Sequence, residues 1–132
     1  MLRKGVFRFD RLTVTPGMSG EGIECLQDVR RVTVDTAVVY LLDVRWAERP
    51  WGLQITAREG AVEELRLQRR ESAGLEETFF EQNRLLTERL GAESESGLGR
   101  RGWHFPWGSV TSLLDGKTGE CVIWAEYLRE QL

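Results

Sequence analysis

Along most of the chain apolar side chains return at every second position, and in one segment they return at the period of a helix. Phe7 and Phe9, then Leu12 and Val14, alternate as in a half-buried strand over Gly5–Thr15. The phase changes between Phe9 and Leu12, which predicts a bulge or turn at Asp10-Arg11. Pro16-Gly17 stops the strand. Ser19 is placed to cap a short helix carrying Ile23, Leu26 and Val29 inward, which Gly20 and Gly22 limit to about two turns. From Val32 to Trp46 the even positions run Val32, Val34, Thr36, Val38, Tyr40, Leu42, Val44 and Trp46, the clearest strand signal in the sequence. Asp35-Thr36 is the natural break, because fifteen residues is long for one strand.

Ala47–Trp51, with Pro50, reads as a loop. Leu53–Ala57 and Glu64–Arg69 then form a hairpin around Arg58-Glu59-Gly60-Ala61, in which Gly60 supplies a positive φ and the apolar faces of both arms point the same way. Leu75–Leu90 is the long helix: Leu75, Phe79, Leu86 and Leu90 recur at helical spacing, Leu85 widens the stripe, and Gly91 follows as the C-cap. Ala92–Gly102 is rich in glycine and serine and is expected to be a mobile loop. Trp103, Phe105 and Trp107 alternate, Val110–Leu114 is a strand, Asp115–Gly119 a turn, and Glu120–Leu128 the return strand. The pattern predicts one α+β domain spanning residues 1–132, a mainly antiparallel sheet with the long helix packed on one face and a short helix near the N-terminus.

Composition fits that outline. The chain has 132 residues, 41% of them hydrophobic, enough to bury a core without a metal or disulfide staple. A 30% charged content balances to a net charge of -3, whereas phosphate neutralisation demands a basic excess, so nucleic acid is a disfavoured partner. No apolar run reaches the length of a signal peptide or a membrane span, which predicts a cytoplasmic protein with no membrane partner. Cys25 and Cys121 are then expected to be free thiols packed as small hydrophobes.

The chemistry-bearing motifs are sparse. His104 is the only histidine and lies in an aromatic strand, far from any nucleophile elbow. Gly116-Lys117-Thr118 resembles the tail of a phosphate loop, but Thr111 stands where that loop requires glycine, and the segment lies between strands. Two isolated cysteines and one histidine do not make a zinc site unless carboxylates join them. The sequence therefore predicts no catalytic residue, no cofactor and no metal. Trp103, Phe105 and Trp107 are expected to fill the core from one strand face. Trp51, Arg100, Arg101 and His104 remain as partner-binding candidates, since tryptophan and arginine anchor interfaces.

Two stretches carry a resemblance. One is Leu12-Thr13-Val14-Thr15-Pro16-Gly17-Met18-Ser19. The other combines Asn83, Leu86 and Leu90-Gly91 with Phe105-Pro106-Trp107-Gly108-Ser109-Val110, Ser112, Asp115 and Ile123–Tyr127. Together they resemble small uncharacterised bacterial proteins, some of which look like immunity proteins encoded beside polymorphic toxins. The likeness covers about half the chain, and its most specific piece is Trp-Gly-x-Val-x-Ser-x-x-Asp from Trp107 to Asp115. It implies a fold and a protein partner, in the form of a toxin to be blocked, and brings no catalytic residue. Against this non-catalytic binding role stand an enzyme working with two carboxylates in a sheet-lined cleft, a single-strand nucleic-acid binder using aromatics beside arginines, and a homo-oligomer pairing edge strands near Pro106 or Gly5–Thr15.

Overall fold

A computed structural model describes residues 1–70 and 74–128. A 3-10 turn (Leu2–Lys4) leads into a small hairpin of β1 (Phe7–Arg8) and β2 (Thr13–Val14), then a single helical turn α1 (Glu21–Glu24). The main sheet follows: β3 (Arg30–Val34), β4 (Ala37–Trp46), β5 (Arg49–Arg58), β6 (Ala61–Arg69), then helix α2 (Leu75–Leu90), and β7 (Glu95–Gly97), β8 (Arg100–Phe105), β9 (Gly108–Asp115) and β10 (Glu120–Tyr127). Eight strands lie in the order β3-β4-β5-β6-β10-β9-β8-β7, every neighbour antiparallel. Two four-stranded meanders therefore meet along β6 and β10, and α2 links them. This is the expected α+β architecture, with the helix at the expected residues.

Register explains the core. Residues directly opposite in an antiparallel pair share a face. One row of the inner face runs Tyr40, Ile55, Leu65, Ala125, Val110, Trp103; the next runs Leu42, Leu53, Leu67, Ile123, Ser112. All of these are buried. A bulge in β6, where Ala57 faces Val62 but Thr56 faces Glu64, shifts the alternation so that Val62 and Leu65 both point inward. The N-terminal segment covers the β4–β6 half, with Phe7 and Phe9 against Trp46 at ring separations of 6.0 and 6.2 Å. It is stitched on by Val62 N–H to the Met18 carbonyl (2.9 Å) and by Arg45 N–H to the Asp10 carboxylate Oδ1 (2.8 Å). Helix α2 covers β9 and β10.

The helix face is less apolar than its leucines suggest. Thr78, Gln82 and Asn83 are buried beside Leu86 and Leu90, while Leu75 and Phe79 are only half-buried. Gln82 Nε2 donates to Ser112 Oγ (2.8 Å) and to the Val122 carbonyl (3.3 Å), which gives β9's inward serine a partner. Arg69, nearly buried at the end of β6, pairs with Glu81 of α2 at 2.7 Å and holds that carboxyl below its usual range.

Several expectations are corrected. Asp35-Thr36 does not merely interrupt a strand: it is a hairpin turn, so Val32 and Val34 pair with Val39 and Ala37 and stand exposed. The turn assigned around Pro50 falls at Ala47-Glu48, both with positive φ (50° and 63°), and Pro50 lies inside β5 opposite Arg45. Its ring is tolerated because the Arg45–Pro50 pair is the non-hydrogen-bonded type next to a two-residue turn, so β4 requires no N–H there. The glycine-rich 92–102 segment is largely a hairpin, β7 against β8, with Leu98 at its tip. Trp107 is in the β8–β9 turn, not on the Trp103 face, although it packs on the core and donates from Nε1 to the Arg3 carbonyl at 2.8 Å. Cys25 is exposed; only Cys121 is buried as expected. The edges of the main sheet are β3 and β7, whereas Pro106 sits in a turn and Gly5–Thr15 supplies the separate small hairpin.

Candidate functional site

The core-facing side of the main sheet is covered by α2 and the N-terminal segment. The other side faces solvent among the described residues. Because side chains alternate, this outer face is written in the remaining strand positions. Its central row runs Leu41, Gln54, Arg66, Trp124, Thr111, Gly102; beside it run Val39, Thr56, Glu64, Glu126, Ser109, His104 on one side and Asp43, Gly52, Gln68, Val122, Leu113, Arg100 on the other.

At the centre, the Arg66 guanidinium lies over the Trp124 ring, 5.8 Å from its centroid. This cation–π arrangement keeps the arginine extended across the sheet. Arg66 has no ion-pair partner among the described residues. Glu64 and Glu126 stand directly opposite each other on β6 and β10, an arrangement of like charges that costs stability. Burial raises the Glu64 carboxyl above its ordinary value; the Arg66 charge opposes this and Glu126 adds to it. The Trp124 indole N–H opposes the shift too, yet its nitrogen is buried with no partner in hydrogen-bonding geometry. The row as a whole presents an aromatic–arginine pair bordered by carboxylates, a surface suited to charged and flat groups of another molecule.

Two of the four sequence candidates reach this face. Arg100 and His104 both approach Glu95, whose carboxylate lies between them at 3.4 and 3.6 Å. Gly102 makes this possible, since a Cβ there would meet the Glu95 side chain at 2.9 Å. Arg101 points the other way, in register with inward Ser112. Trp51 is not a surface candidate: it is 2% exposed, its Nε1 donates to the Trp46 carbonyl (2.9 Å), and Arg69 stacks over its ring. Trp103 is likewise buried and donates to the Gly91 carbonyl at 2.9 Å, which removes it from any base-stacking role. Asp115-Gly116-Lys117-Thr118 is a hairpin turn in which Asp115 Oδ1 accepts from the Lys117 and Thr118 amides, so its glycine and lysine serve the turn.

No family model, curated relative or solved structure matches the chain.

The residues the sequence reading passed over are Arg66, Trp124 and Glu126. A signal existed for Trp124. Cys121, Ile123, Ala125 and Tyr127 set the inward phase of β10, so an aromatic at position 124 is out of phase and must lie on the opposite face.

Proposed function

We propose that this chain is a non-catalytic cytoplasmic protein-binding domain that engages its partner through the outer face of the sheet, as an immunity protein would occlude a toxin. The observation that carries the reading is the Arg66–Trp124 pair at the centre of the uncovered face, bordered by Glu64 and Glu126. Tryptophan and arginine in the middle of a flat surface are the residue types that dominate binding energy. The net charge of -3 favours encounter with a basic partner. No helix among the described residues is long and apolar enough to cross a membrane, which agrees with a role in solution.

The test is co-expression with the product of the neighbouring gene, followed by capture and affinity measurement. Trp124→Ala and Arg66→Glu are each expected to weaken the complex by at least about tenfold. Phe80→Ala, on the solvent side of α2, is expected to change nothing. Equal binding by all three variants would refute the assignment of the face, and failure of the neighbour to bind would remove the toxin-blocking role.

A further inference from the structure

The outer face holds a concavity of about 310 Å³ between β4, β5, β6 and β10. Its floor comes from one missing side chain. Gly52 and Gln54 on β5 stand opposite Gln68 and Arg66 on β6, so four outward positions form a square with nothing at the Gly52 corner. Arg70, just beyond the end of β6, lays its guanidinium into that corner; a Cβ on Gly52 would stand 2.6 Å from the Arg70 Cζ. Leu41 and Val122 form the apolar sides.

The polar groups of this square are available. Arg70 is fixed by one contact, Nε to Asp43 Oδ1 at 2.9 Å, which leaves its two terminal nitrogens uncommitted among the described residues. Arg66 lies over Trp124 and makes no ion pair among the described residues, although Glu64 is near enough to feel its charge. The side-chain amides of Gln54 and Gln68 have no hydrogen-bond partner among the described residues. Two planar cations and two amides around a glycine floor offer donors to one oxyanion. Glu120 lines the same concavity and Asp43 already pairs with Arg70 through Nε, so a dianion would meet repulsion that a single carboxylate largely avoids.

We propose that this concavity is a carboxylate seat that receives an acidic side chain of the protein bound on the outer face. The proposal rests on the binding-face reading above and gives one anchor of the partner its chemistry. Arg66 and Arg70 donate to the carboxylate oxygens, and Gln54 and Gln68 complete the ring of donors.

Nitrogen-15 NMR titration of the full chain tests it without any partner. Acetate and a blocked glutamate (N-acetyl-glutamate amide) are added at matched ionic strength against sodium chloride, following the Arg66 and Arg70 Nε–H and the Gln54 and Gln68 side-chain amides. Saturable shifts with both carboxylates, and none with chloride, are expected. Gly52→Ala keeps every charge but displaces Arg70, and together with Arg66→Gln should weaken acetate binding at least about tenfold. Asp43→Asn should tighten it by releasing Arg70. Shifts no larger than those from chloride, binding unchanged in Gly52→Ala and Arg66→Gln, tighter binding of inorganic phosphate than of acetate, or acetate binding with exclusion of the blocked glutamate would each overturn the proposal. Such a failure leaves intact any loss of partner caused by Trp124→Ala, so the seat and the face are judged separately.

Discussion

Replacing Gly108 by alanine probes the corner where β9 begins and β10 ends. Gly108 pairs with Tyr127 and has a φ of 152°, a conformation that side chains other than hydrogen rarely adopt. A Cβ there would lie 1.9 Å from the Glu126 carbonyl oxygen, 3.0 Å from its carbonyl carbon and 3.1 Å from the Tyr127 Cα. Carbon and oxygen make even their closest weak contacts at about 3.3 Å, so the two strands must part by more than an ångström. The backbone strain costs roughly 1–3 kcal/mol. Opening the strand end also endangers the Gly108–Tyr127 pairing and the bond from Leu128 N–H to the Trp107 carbonyl, each worth about 0.5–1.5 kcal/mol. The expected total is on the order of 3–5 kcal/mol, a large share of the roughly 5–15 kcal/mol by which domains are stable. Urea unfolding followed by tryptophan fluorescence reads this directly, and with a slope of about 1–3 kcal/mol/M the midpoint should fall by roughly 2 M. Gly116→Ala is the control, because its Cβ meets nothing within 4 Å; it should stay within about 0.5 kcal/mol of the parent. A Gly108→Ala midpoint as close as that would show that the corner yields freely and that the steric argument is wrong.

Tyr127→Phe removes a buried hydroxyl that donates to the Gly5 carbonyl at 2.7 Å and should cost about 1–3 kcal/mol in the same assay. Burial also raises the Tyr127 pKa, so its neutral form contributes stability in full below the unfolded value of about 10, and that contribution is lost as pH rises toward the higher folded value; alkaline unfolding should begin above about pH 10 and be blunted in Tyr127→Phe. Glu64 has a raised carboxyl pKa too, so its favourable contribution is present below about pH 4 and lost as pH climbs through the folded value. Glu64→Gln should accordingly stabilise the protein at pH 7 by roughly 0.2–1 kcal/mol, with the gain absent at pH 3; no gain at pH 7 would argue against the Glu64–Glu126 repulsion. Cys121 is buried, donates to the Leu75 carbonyl and has its thiol pKa raised by burial, whereas Cys25 is exposed. A thiol reagent should therefore modify Cys25 quickly in the folded protein and reach Cys121 only after unfolding.

The sheet and helix were legible because alternation survives wherever one face is buried. Tyr40, Leu42, Val44 and Trp46, or Leu65 and Leu67, announce both strand and inward side. The turn at Glu59-Gly60 was readable because Gly60 supplies the second positive φ. The turn at Ala47-Glu48 was not, since neither residue type favours that conformation and nearby Pro50 attracts the assignment. The 95–105 hairpin was missed for a related reason: β7 is a three-residue edge strand whose residues are all exposed, so no hydrophobic period marks it. Of the candidate site, Arg100 and His104 were named without their common partner Glu95, which only the pairing of β7 with β8 reveals. Trp51 misled because a tryptophan near a proline looks like a loop residue, when its alternation with Leu53 and Ile55 was the better guide. Glu64, Arg66 and Trp124 converge only across β6 and β10, strands more than fifty residues apart, and no local pattern encodes that register.

That long-range seam between β6 and β10 has a consequence for biogenesis. During synthesis the first meander emerges with its β6 margin open, and β10, the strand that completes it, is translated about fifty residues later. Until Glu120–Tyr127 clears the ribosome, Leu65 and Leu67 border a raw edge able to recruit β-strands from other nascent chains. Arg66, exposed on that same margin, places a charge where such pairing would have to begin.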